Sequence, residues 1–240
     1  MDIKRHNPVS SRRPYGKRLC FRLGWRVAGG LFALPLLSAC ATLGYYAQAV
    51  DGQRRVLGAR MPLADVIVDP QTPPAQRAQF LAALQARDWA SRELHLPDNG
   101  SYRSYVALPG PYVVWNVLAT PEFSLEPVEH CFVLVGCLAY QGYFSEAAAQ
   151  ARAAMLAAQQ LDTAVVGVPA YSTLGWFDDP LLSTMLSDDA AALAALIFHE
   201  LAHQQVFVDG DTRFNESYAE FVASEGLRQY LAVHPELSDA

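Results

Sequence analysis

The stretch Ser187-Asp188-Asp189-Ala190-Ala191-Ala192-Leu193-Ala194-Ala195-Leu196-Ile197-Phe198-His199-Glu200-Leu201-Ala202-His203-Gln204-Gln205 decides how the chain is read. Ser187, Asp188 and Asp189 supply a cap and place negative charge at the positive end of a helix running through about Gln205. Leu193, Leu196, Ile197, Phe198 and Leu201 point in several directions around its axis, so the spacing predicts a helix buried within the protein. In its middle stands H-E-x-x-H. Residues four apart share a helix face, so His199 and His203 can reach one ion, while Glu200, turned about 100° from His199, can flank it. Uncoordinated His and Glu in so apolar a setting are costly to desolvate, and a zinc ion suits both imidazoles. A catalytic zinc needs three protein ligands and an open position, where the pKa of water falls toward roughly 7.

Working outward, Asp209-Gly210-Asp211 reads as a polar turn and about Arg213 to Tyr230 as a second helix. It carries Asn215-Glu216-Ser217-Tyr218-Ala219-Glu220. Glu216 and Glu220, four apart, lie on one face; packed against the first helix, one carboxylate can complete the coordination while the other receives an N–H from a ligand histidine. Spacing alone leaves open which does which. Asn-Glu-x-x-Ala after H-E-x-x-H resembles the gluzincin metallopeptidases, and that resemblance implies His199, His203 and Glu216 as metal ligands, Glu220 behind a histidine, and Glu200 as the catalytic base.

Upstream, Tyr45 to Leu57 reads as a short helix, and Thr72-Pro73-Pro74 as an N-cap with early prolines opening a helix that ends near Leu96-Pro97. Asp98-Asn99-Gly100 is a turn. Ser101–Val106, Tyr112–Leu118, Cys131–Val135 and Leu138–Gln141 are strand candidates, rich in aromatic and β-branched residues. Ser145-Glu146 opens an alanine-rich helix to about Gln160, Thr163–Val168 reads as a short buried strand, and Pro169–Pro180 is irregular and aromatic. The expected class is α+β: a zincin-like domain with a small mixed sheet, a buried H-E-x-x-H helix and a glutamate-bearing helix after it.

Charge divides the 240 residues sharply. Residues 1–39 hold eight of the 18 basic residues and one of the 24 acids, a net +7. The remainder keeps ten Arg against 23 acids, a net −13 that excludes nucleic-acid binding through a basic face unless a metal intervenes. After Arg26 an apolar run, Val27 to Leu37, is too short for a resident membrane helix and has the length of a signal-peptide core. Leu37-Ser38-Ala39-Cys40 then resembles a bacterial lipobox, which implies a signal peptide over residues 1–39, a lipidated Cys40 anchoring the protein to the membrane, and a mature domain over 40–240 facing the periplasm. Ala41 after the cysteine favours the outer membrane. In that compartment the two remaining cysteines, Cys131 and Cys137, are expected to pair, with two buried thiols as the alternative.

The segments Leu96–Tyr102, Tyr112–Val117, Gly142-Tyr143-Phe144 and Gly167–Pro180 resemble a family of bacterial lipoproteins described as predicted aminopeptidases, over Cys40 to about Tyr230. Members continue into a further helical region, which implies that this chain stops short of it. The resemblance implies a zinc-dependent peptidase acting on peptide substrates, with Glu200 drawing a proton from water activated at zinc. Tyr143, Tyr171 and Tyr218 are candidate donors to the developing oxyanion, each also readable as a packing aromatic. A zinc-stabilised envelope lipoprotein that binds or assembles without turnover is the alternative; a non-ligand Glu200 beside the metal argues for the enzyme.

Overall fold

The computed structural model describes residues 25–132 and 136–237, with side chains from residue 42 on. The first 24 residues of the expected leader and the side chain of Cys40 lie outside the described residues. Contacts divide the chain into Met1–Tyr45 and Tyr46–Ala240; of the first, helical backbone from Trp25 is described. Among the described residues no helix is long and apolar enough to cross a membrane.

The elements in chain order are α1 (Trp25–Gly58), β1 (Met61–Pro62), α2 (Leu63–Val68), α3 (Pro74–Glu93), β2 (Ser104–Val106), β3 (Val114–Pro121), β4 (His130–Phe132), β5 (Gly136–Leu138), β6 (Gln141–Tyr143), α4 (Glu146–Ala157), β7 (Leu161–Val168), β8 (Leu181–Leu182), α5 (Ala190–Gln205) and α6 (Thr212–Val233). Among the described residues the class is mixed α+β, six α-helices with small sheets. The strands form three sheets, β1-β2-β8, β6-β3-β7 and the β4-β5 hairpin. All pairs are antiparallel except β2 with β8.

Helix α3 opens on Pro74, whose missing N–H costs nothing at a first turn. Thr72 is not its cap: Pro73 holds that position, and the Thr72 hydroxyl donates to Val66 O (2.7 Å), fastening α2 to the start of α3. Phe80, Ala83, Ala86, Trp89 and Ala90 recur on one face and are buried. There Trp89, Phe198 of α5 and Tyr230 of α6 form a triangle of rings with centroids 5.2–5.8 Å apart. Burying each such side chain contributes about 1.5–3 kcal/mol, so three helices are locked at one node.

In the second layer β3 pairs along its length with β7, and α4 covers them through Ala149, Ala153 and Leu156. Ser145 caps α4 by accepting from the Ala148 N–H. Several strand expectations shift: Ser101–Val106 is strand only from Ser104, and of Cys131–Val135 the last three residues lie outside the described residues. Leu138–Gln141 is split between β5, a bend at Ala139-Tyr140, and β6. β7 is not buried on both faces: Asp162, Ala164 and Val166 are exposed, because α4 covers one side of the sheet only.

Candidate metal centre

Asp189 caps α5 with Oδ1, accepting from the N–H groups of Ala191 (2.8 Å) and Ala192 (3.0 Å). The helix is buried through Leu193, Ala194, Ile197, Phe198, Leu201 and Ala202, which holds His199, Glu200 and His203 in place from below. Six residues later Asp211 caps α6 by accepting from the Phe214 N–H (2.9 Å). Between the helices the buried Asn215 clasps the backbone of Val208 on both sides, accepting its N–H (2.8 Å) and donating to its carbonyl (2.9 Å). Glu216 is the next residue, so this clasp fixes where its carboxylate begins.

The result is a convergence of nitrogen and oxygen. His199 Nε2 and His203 Nε2 stand 3.2 Å apart, with Glu216 Oε2 3.4 Å from the first and Oε1 3.7 Å from the second. Bonds of about 2.0–2.1 Å at tetrahedral angles set ligand atoms roughly 3.3 Å apart, so the donor set and its spacing fit one zinc ion. Glu220 lies behind: its Oε2 is 3.9 Å from Nδ1 of His199. Spacing alone left the two glutamates interchangeable and the gluzincin resemblance favoured Glu216; their placement separates them, Glu216 with the Nε2 atoms and Glu220 on the outer side of one ring.

Glu216 draws the His199 pKa upward, and His199 in turn holds the Glu216 carboxyl below its ordinary value. Burial lowers the His203 pKa, and its Nδ1 is buried without a partner. Glu200 is pushed up to about 7, mainly by burial, with His199 opposing the shift and Glu216 and Asp179 adding to it. A carboxyl titrating near neutrality beside a cluster of donors can take up and return protons.

Two loops brace the far end of α5. Gln204, next to His203, accepts from Asn99 Nδ2 (2.7 Å) and donates to Ser101 Oγ (3.2 Å). The loop carrying those groups is threaded by the buried Arg87, which donates to Ser101 O (2.8 Å), Asn99 O (2.7 Å) and Pro97 O (3.0 Å). The second loop joins it through Tyr102 N–H to Asp179 O (2.6 Å), Asp179 N–H to Ser101 Oγ (3.2 Å) and Gly100 N–H to Asp178 Oδ1 (3.0 Å). A Cβ on Gly100 would fall 2.6 Å from the Asp178 carboxylate, so a side chain there would push that carboxylate away from the Gly100 N–H. Asp179, 2% exposed, accepts from the Thr173 N–H and hydroxyl; burial nonetheless raises its pKa to about 6.

A model of the family described as "Putative aminopeptidase" matches residues 44–240. The chain belongs to this family. No curated protein and no solved structure matches it. The loops around Asn99 and Asp179 are the segments on which the sequence already resembled lipoproteins of predicted aminopeptidase type, and in the folded chain they support the helix that carries both histidines.

Of the tyrosines singled out as donors, Tyr171 donates to Gln53 Oε1, Tyr218 stacks on Phe214 at 6.2 Å, and Tyr143 is buried on β6. Sequence reasoning missed two others. Burial raises the pKa of Tyr140, as do Glu216 and Glu200, and it sits in the bend between β5 and β6, where no motif marked it. Tyr102, inside a quoted segment, has left-handed backbone (φ 62°) and a buried hydroxyl with no partner; burial and then Glu200 push it well above the usual phenol range. The disulfide Cys131–Cys137 closes the β4-β5 hairpin. Next to it Gly136 (φ 71°) lies against the loop joining α5 and α6: a Cβ there would stand 3.0 Å from Gly210 N.

Proposed function

We propose that the protein is a zinc-dependent peptidase of gluzincin type, tethered through a lipidated Cys40 and acting on peptides in the periplasm beneath the outer membrane. The observation that carries this reading is the approach of two imidazole Nε2 atoms and the Glu216 carboxylate within 3.2–3.7 Å of one another beside a buried glutamate. Family membership supports the peptidase class. The order of basic, apolar and lipobox segments supports the tether.

His199, His203 and Glu216 would hold the ion, which supplies Lewis acidity to polarise a peptide carbonyl and to acidify water. Glu200 accepts the proton of the attacking water and passes it to the leaving amine; a pKa of about 7 suits both halves of that exchange. Glu220, on the Nδ1 side of His199, biases the proton to Nδ1 and leaves the Nε2 lone pair for the metal. Gln204 and the Arg87-threaded loop keep α5 from shifting as charge moves.

Zinc analysis and peptide hydrolysis of wild type and Glu200→Gln test the proposal. Zinc near one equivalent is expected in both, with hydrolysis about 10³-fold lower in the variant, in the range for a lost general base. Equal hydrolysis in the two would remove Glu200 from the chemistry, and absence of stoichiometric zinc from both would remove the metal.

A further inference from the structure

Among the described residues β6 is an edge strand paired on its inner side with β3, Trp115 with Tyr143, Asn116 with Gly142 and Val117 with Gln141. It follows the β4-β5 hairpin, whose Gly136 lies against Gly210 in the loop joining α5 and α6; it begins beside Tyr140, whose phenol feels the charges of Glu216 and Glu200, and it leads to Phe144, whose ring meets that of Tyr171 at 6.0 Å. An exposed strand edge binds extended peptides by adding one more strand.

That edge is partly taken. From the α1 stretch within the Tyr46–Ala240 unit, Gln48 Nε2 donates to Gly142 O (3.2 Å) and the Phe144 N–H donates to Gln48 Oε1 (3.3 Å). One carboxamide thus satisfies two outward groups that an added strand would use. The helix is seated closely, since a Cβ on Gly52 would fall 2.1 Å from Phe144 Cγ, and the Tyr171 hydroxyl donates to Gln53 one residue on. Because Gly142 O points outward, strand alternation turns the Gly142 N–H outward too. Planarity of the 140–141 peptide does the same for Tyr140 O, as the Gln141 N–H faces β3. Among the described residues the length of β6 left to a ligand is therefore the Tyr140 carbonyl and the Gly142 N–H, at the end next to the β4-β5 hairpin.

We propose that Gln48 is a specificity-determining residue: it stops the peptide-binding edge of β6 so that the centre accepts the amino end of a chain and rejects its interior. Both other pairings in this sheet are antiparallel, the slightly stronger arrangement. A substrate added in that sense runs with its N-terminus toward Phe144. There it meets the Gln48 carboxamide where a further peptide group would lie, so a chain that ends at that point fits and one that continues collides. This inference rests on the peptidase reading and deepens it, converting a family description into one side chain that enforces exo-cleavage.

The test uses the zinc-loaded full chain and two probes, trialanine amide and its N-acetyl derivative. Wild type is expected to cut the free-amine probe at least tenfold faster. Gln48→Ala should narrow that gap severalfold, whereas Gln53→Ala, which removes a neighbouring contact without freeing β6, should keep it; melting temperature and zinc content confirm that each variant is folded. Equal rates on both probes in wild type, or an undiminished gap in folded Gln48→Ala, would overturn the assignment of Gln48 while leaving the peptidase reading intact. Should no variant hydrolyse either probe, the peptidase reading fails, and calorimetric binding of the two probes to zinc-loaded Glu200→Gln decides the edge-stop separately: tighter binding of the free amine, lost in Glu200→Gln with Gln48→Ala, supports it, and equal binding overturns it.

Discussion

The two halves of the centre are built differently. On the inner side Glu200 is 7% and His203 9% exposed, on a helix apolar all round and braced by Gln204, Ser101 and Arg87. On the outer side the Glu216 and Glu220 side chains are 56% and 74% exposed, on a helix that buries one face only. The difference teaches where each kind of error would be felt. Inner groups are held by desolvation and packing, so altering them acts first on folding; outer groups are held by a cap and a clasp, so on the proposed zinc reading altering them acts first on metal affinity.

The largest expected effect tests the inner brace. Arg87→Met keeps much of the volume and removes the donors to one buried and two half-buried carbonyls, so a loss of about 4 kcal/mol in denaturant unfolding is expected. A loss below about 1 kcal/mol would make the outer and inner halves equivalent. Next is the pH dependence of the metal-free protein. The Glu200 pKa is raised from 4.5 to about 7 by burial, so between those values the folded chain binds more protons than the unfolded one and stability falls as pH rises. Glu200→Gln should therefore match wild type near pH 4 and exceed it above pH 8 by an amount on the order of 3 kcal/mol. Asp179, raised to about 6, imposes the same trend on both proteins, and parallel curves for the two would mean that Glu200 is not held neutral.

The boundary between the halves is the Asn215 clasp. Asn215→Ala leaves Val208 without either side-chain partner and should cost about 2 kcal/mol while also weakening zinc binding, since Glu216 follows directly. A change in stability with metal affinity untouched would assign the clasp to the scaffold alone. The smallest effect belongs to the rim: Glu220→Gln should lower zinc affinity about tenfold with unfolding unchanged, the usual consequence of losing a partner to a ligand histidine.

Much of the inner half could be read directly. Asp189 as cap, the all-round apolar positions of α5 and the i, i+4 histidines are local patterns, and the folded helix follows them to within a residue. Other features had no local signal. Pro73 and not Thr72 precedes the first turn of α3, and the Thr72 hydroxyl donates to Val66 O in a separate element; the bend at Tyr140 arises where the closed hairpin hands the chain to the β3 edge. Tyr102 and Asp179 stood inside conspicuous segments, but their joint burial near Glu200 depends on loops some 77 residues apart closing on one another.

By itself the sequence determined which residue types share a helix face and therefore which chemistry is available: two imidazoles, a flanking carboxyl, and two candidate carboxylates downstream. Helical periodicity is a property of the local backbone and is written in spacing. Which glutamate joins the imidazoles, which phenols feel their charge, and that Gln48 occupies the β6 edge were decided by tertiary packing, because distances between separate elements depend on how the whole core closes and not on any one segment.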